Sequence, residues 1–157
     1  MLLRRFARNE KGGTLAELAI LIPFLIMLAA SVAELGRLFQ TYSTLSKSTR
    51  NAARYLSGKP YDPDHIGFTK NMAVCGKTEC EGGDELVTGL ELANVVIEAE
   101  GPPSGNPIRV TVRIDGYNFK PLFNLAALFK AERLVEFPVR PSTTMYYMLN
   151  NTAGSTE

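Results

Sequence analysis

The chain has 157 residues, 45% of them hydrophobic and 21% charged. That fits one compact domain and not a disordered tail, a collagen or a basic nucleic-acid binder. Seventeen Lys and Arg against 16 Asp and Glu leave a formal net charge of +1, so no global field selects an anionic partner and no nucleic acid is expected. One His and two Cys are too few for a structural zinc site or a disulfide framework, and they leave little for His-based catalysis. The composition therefore points away from an enzyme, a metal and a cofactor.

The averages hide strong segregation along the chain. Met1–Gly12 carries Arg4, Arg5, Arg8 and Lys11 against Glu10 alone, and Gly13–Ala33 then holds Glu17 as its single charged residue. At about 1.5 Å per residue this stretch makes a helix on the order of 30 Å long, enough to cross a hydrocarbon core. The basic leader favours a cytoplasmic amino end, although Arg37, Lys47 and Arg50 on the far side blunt that argument. Ala29, Ala30, Ser31 and Ala33 would admit an ordinary signal-peptidase cut, and a buried core helix is the other alternative; the length of the run favours a span. Glu17 near its start is either a functional carboxylate that needs a cationic partner or an interfacial one reaching the headgroups. Pro23 in mid-span removes a backbone donor and is expected to kink or loosen the helix.

The helix is expected to run on from Leu15 to Leu56. Apolar or small residues recur at Leu35, Leu38, Tyr42, Leu45, Thr49, Ala52 and Leu56, a heptad-like stripe facing either the following domain or a partner helix. Ser57-Gly58-Lys59-Pro60 supplies the stop.

Lys59–Gly89, rich in Pro, Gly and Asp, reads as a long loop region. Tyr61–Gly67 lacks the further ligands of a calcium loop, so a turn built from Pro60, Pro63 and Gly67 is the expected structure. Cys75 and Cys80 are spaced too widely for a Cys-x-x-Cys redox motif, and outside the cytoplasm they are expected to form a local disulfide. Strands are expected at Ala93–Ala99 and at Ile108–Ile114, where Ile108, Val110, Val112 and Ile114 share a face, with Gly101–Pro107 as the hairpin loop. A turn and short apolar helix are expected over Tyr117–Phe129, as domain core or at the membrane surface. A last strand falls at Leu134–Val139 or later through Thr143–Met148, and Asn150–Glu157 is a polar tail. The fold class is α+β, a long N-terminal helix packed on a small antiparallel sheet. Its divisions are a leader at 1–12, the helix at 13–57, an exported domain at 58–149 and the tail at 150–157.

A basic leader, a glycine and an apolar helix with an acid near its start resemble a type IV prepilin, here in Arg4–Glu17. More specifically, Glu17-Leu-Ala-Ile-Leu-Ile-Pro23 followed by Glu34-Leu-Gly-Arg37 resembles the TadE-like proteins, minor pilins or pseudopilins of the tight-adherence (Tad/Flp) pilus system. Val110–Ile114, Tyr117–Pro121, Leu122–Phe129 and Leu134–Tyr147 are similar to the family's later pattern. Leu18 stands where the family usually has an aromatic residue, and the Gly12-Gly13 pair leaves the cut after either glycine, with Glu17 as fifth or fourth mature residue.

The resemblance implies a pilin-like protein that catalyses nothing. Its leader is cut on the cytoplasmic face by a prepilin peptidase at Gly12/Gly13, and it is a single-pass inner-membrane protein with a cytoplasmic amino end and a periplasmic domain. The new Gly13 amine would meet Glu17 of a neighbouring subunit, and Pro23 would let the helix bend during extraction. Other minor pilins, the major pilin, the inner-membrane assembly platform and the lipid bilayer are the implied partners. The alternative is an uncleaved bitopic scaffold of a pilus or secretion complex. A periplasmic hydrolase built around His65 lacks the constellation such chemistry needs.

Overall fold

The computed structural model describes residues 10–102, 106–122 and 137–149. One helix, α1 (Glu10–Ser57), dominates it: 48 residues without a break, about 70 Å at 1.5 Å per residue. Pro23 lies inside it and the helix passes through. The carbonyl one turn earlier loses its N–H partner there. Gly58 and Pro60 follow the last turn, where the Gly58 and Lys59 N–H groups close on the Tyr55 and Leu56 carbonyls at 3.3 Å.

A second helix follows where the sequence reads as a loop. α2 (Pro63–Cys75) replaces the expected turn at Pro60, Pro63 and Gly67. The physical reason is its pair of ends. Asp62 sits in extended backbone and accepts from the His65 backbone N–H, while Pro63 fills the first helical position, where a missing N–H costs nothing. That N–H first, and then the His65 ring, hold the Asp62 carboxyl below its ordinary value. Gly76 closes the helix in left-handed backbone at φ 74°, its N–H on the Met72 carbonyl. Gly67 is exposed and tolerated within α2.

The sheet has the order β1–β2–β5, all antiparallel: β1 (Val95–Glu100), β2 (Arg109–Ile114) and β5 (Ser142–Tyr146). A separate two-stranded ribbon pairs β3 (Asn118–Phe119) with β4 (Phe137–Pro138). The β1–β2 hairpin narrows at Gly101, where a Cβ would meet the Pro107 Cα at 2.8 Å, so only glycine fits. β2 is central. Val110, Val112 and Ile114 point inward and are buried, whereas Ile108 precedes the strand and is exposed. On the outer face Arg113 reaches Glu98 at 2.9 Å and Thr111 meets Thr144 at 2.8 Å, cross-strand pairs of modest value.

The core lies between the sheet, α2 and the outer part of α1. Leu45, Ala52 and Ala53 of α1 are fully buried, with Ala73 of α2 and Val112 of β2 in the same cluster, and Leu56 is fully buried in a second cluster with Val110 and Tyr147. The many small residues let the backbones approach closely. Buried hydroxyls are satisfied at home: Ser48 donates to the Leu45 carbonyl at 2.9 Å and Ser57 to the Arg54 carbonyl at 2.9 Å. Thr49 donates to the Ser46 carbonyl at 3.1 Å and meets the Thr143 hydroxyl at 3.2 Å, tying α1 to β5.

The expected strands are present with altered ends: β1 starts at Val95 after a 3-10 turn, β5 occupies the later of the two alternatives, and the described part of the Leu134–Val139 alternative holds β4. The leader Met1–Asn9, the apolar segment beyond Leu122 to residue 136 and the tail 150–157 lie outside the described residues.

Two leucines from the one expected stripe now differ: Leu45 is 0% exposed and Leu35 is 55% exposed. Leu45→Ala is expected to cost about 2–5 kcal/mol and Leu35→Ala less than about 0.5 kcal/mol. Denaturant unfolding of the detergent-solubilised chain measures both, and equal losses would refute this packing.

Candidate functional site

The residues singled out in the sequence do not converge. Gly13 and Glu17 are exposed in the first turns of α1, and Pro23 is exposed further along it. Leu45, where full burial in the domain begins, lies about 40 Å beyond Glu17 along the helix axis. Cys75 and Cys80 belong to that distant domain, where a disulfide joins them across a Cα separation of 5.8 Å. They staple the chain just past the end of α2.

Gly12 and Gly13 fall inside the first turn of α1, which starts at Glu10. The first four N–H groups of a helix have no intrahelical acceptor, and each glycine weakens a helix by about 1 kcal/mol relative to alanine. A Cβ at Gly13 would meet no atom within 4 Å.

From Gly13 α1 is long and apolar enough to cross a membrane, and none of its most apolar 18-residue window is buried by the protein. The bare surface does not end with the span. Leu28, Val32, Leu35, Phe39 and Tyr42 are all exposed, with Phe39 at 71%. Their spacing of four, three, four and three is a helix face. The stripe read in the sequence thus divides: Leu45, Thr49, Ala52 and Leu56 turn into the domain, while Leu35 and Tyr42 stay outside with Phe39.

At the end of the apolar run stands Glu34, buried to 8% exposure. Its carboxylate accepts from Arg37 Nη1 at 3.0 and 3.2 Å and from the Leu122 backbone N–H at 2.8 Å. The Arg37 guanidinium also lies over the Phe119 ring, 5.4 Å from its centroid, a cation–π geometry. Glu34 and Arg37 clamp the Phe119–Leu122 turn to the helix at the level where the apolar run ends. The sequence shows this pair but not what it holds. Its signal was two opposite charges three residues apart at the edge of an apolar run.

Beside the clamp runs a groove of about 550 Å³ between α1, residues 86–89 and the Tyr117–Leu122 turn. Arg37, Gln40, Thr41 and Thr44 line it from the helix, and Tyr117, Phe119 and Lys120 from the turn. Burial pushes the Tyr117 phenol above its ordinary value, and the nearby Arg37 charge acts in the opposite sense. Among the described residues no group of three or more His, Cys, Asp or Glu is placed to hold a metal ion.

Residues 12–54 match the TadE-like protein family. The resemblance read in Glu17–Pro23 and Glu34–Arg37 therefore falls within the matched stretch. No curated protein and no solved structure matches the chain.

Both clamp side chains lie within the matched residues. Glu34→Ala removes the acceptor from both Arg37 and the Leu122 N–H and is expected to lower stability by about 1–3 kcal/mol. Glu34→Gln keeps an acceptor and should lose less. Unfolding midpoints in detergent check the order of the two variants.

Proposed function

We propose, taking the TadE-like helix at residues 12–54 as the premise, that this chain is a minor pilin or pseudopilin of a Tad-type (Flp) pilus. It waits in the inner membrane, with its amino end in the cytoplasm and its domain in the periplasm, and serves as a structural subunit in assembly, adherence or secretion. It catalyses nothing. One observation carries the reading: a helix of 48 residues keeps its apolar half bare and carries the whole domain at its far end. Such a rod has two uses for its bare half, lipid before assembly and other helices after it. The exposed Leu35–Phe39–Tyr42 face extends that surface beyond the span, so subunits can pack along more of the helix than lipid covers.

Processing follows from the ends of the rod. A prepilin peptidase working at the cytoplasmic face would cut at Gly12 or Gly13, and the cut after Gly12 frees an amine four residues before Glu17. In a low-dielectric setting a lone charge is costly, whereas an amine–carboxylate pair between neighbours is tolerated and sets their axial register. Glu17 is exposed on α1, as a residue serving a neighbouring subunit must be. Pro23 would give the helix a weak point for bending as the platform draws it out. The disulfide suits an oxidising compartment outside the cytoplasm.

A second reading, an uncleaved bitopic scaffold, draws on the helical backbone at Gly12 and Gly13, since peptidases act on opened chain. Amino-terminal sequencing of membrane-extracted protein separates the two: a start at Gly13 supports the pilin, and retention of Met1 supports the scaffold. Gly12→Leu is expected to block processing while membrane insertion persists, read as a larger species on a gel in the membrane fraction. Glu17→Ala is expected to leave processing and membrane level near normal and to abolish piliation. Wild-type pili in that variant would reduce Glu17 to an interfacial carboxylate.

A further inference from the structure

We propose that the groove beside the clamp is a binding site for the phosphate headgroup of an anionic membrane lipid, with Lys120 as its net cation. This rests on the membrane span in the reading above. The apolar run ends at Ala33, and the Leu122 N–H is fixed to Glu34 Oε1 at 2.8 Å. The turn is therefore held sideways at the hydrocarbon boundary, with Leu122 73% exposed there. The headgroup layer beyond that boundary is about 5–8 Å thick on each side. Arg37 is about 5 Å and Thr41 about 10 Å above Glu34 along the helix, so the lower rim of the groove opens within the headgroup layer.

The lining has the matching chemistry. Arg37 is held by Glu34 and supplies donors with little net charge. Lys120 is exposed on the opposite wall, and among the described residues no carboxylate lines the groove. Thr41 and Thr44 present hydroxyls along the helix side. A volume of about 550 Å³ exceeds what a bare phosphate fills and falls within the range of small-molecule sites, so a glycerol phosphate group fits. Leu122 below the rim then meets the start of the acyl chains. A lipid, and not a free anion, is the occupant because apolar surface continues directly beneath the cationic rim.

The test uses the full chain, delipidated in detergent and mixed with equal amounts of phosphatidylglycerol and phosphatidylcholine, with retained lipid counted by native mass spectrometry. One cation near a lipid phosphate is worth about a fivefold preference. The wild-type chain is expected to retain the anionic lipid by about that factor, Lys120→Arg to keep the preference and Lys120→Glu to lose it. Equal retention of both lipids by the wild type, or an undiminished preference in Lys120→Glu, overturns the site. Loss of the lipid to excess inorganic phosphate at matched ionic strength reassigns the groove to a free anion and overturns the lipid. The same protein is checked in the membrane fraction: absence from it removes the span and this site together, whereas presence without lipid preference removes the site alone.

Discussion

A single unbroken helix can show lipid or neighbouring helices a wholly apolar surface because its backbone hydrogen bonds are all internal. Everything else in this molecule is arranged around that constraint. Among the described residues nothing covers the bare half of α1, and the domain packs at the other end. The composition is average only because a bare rod and a polar-surfaced domain are summed in one chain.

The domain solves a second problem, that of holding firmly to a helix it touches only along its outer part. It does so with small residues and self-satisfied hydroxyls at the contact, and with one carboxylate at the boundary. Buried as it is, Glu34 would be costly as an isolated charge. With Arg37 and the Leu122 N–H on it, it becomes the fixed point between rod and domain. The groove, the exposed Leu122 and the height of the turn all derive from that one attachment.

The periodic parts of this structure were legible. The helix through Leu56, the alternation of β2 and the α+β class follow from the 3.6 and 2.0 residue repeats. α2 was hidden because its composition resembles a loop. Pro, Asp and Gly cluster there, and the Asp62-Pro63 start and the Gly76 end are caps that matter only once a helix lies between them. The division of the heptad stripe was hidden for a different reason. Sequence spacing places residues on a face but does not say where along the helix the covering domain begins. The clamp was half legible: the Glu34–Arg37 pair stood out, but its third member is a backbone N–H 88 residues away, which carries no sequence signature.

The topology also orders events in time. β2 pairs with β1 on one side and with β5 on the other, and β5 ends at Tyr146. The next residue, Tyr147, donates its hydroxyl to the Lys59 carbonyl at 2.6 Å, back at the end of α1. The last described strand therefore closes onto the first element, and one side of β2 stands open until β5 has been made. During that interval the unpaired edge can recruit other extended chains. Completion and closure are thereby coupled: a chain that stops before residue 142 holds an unfinished sheet, and one that includes β5 closes it.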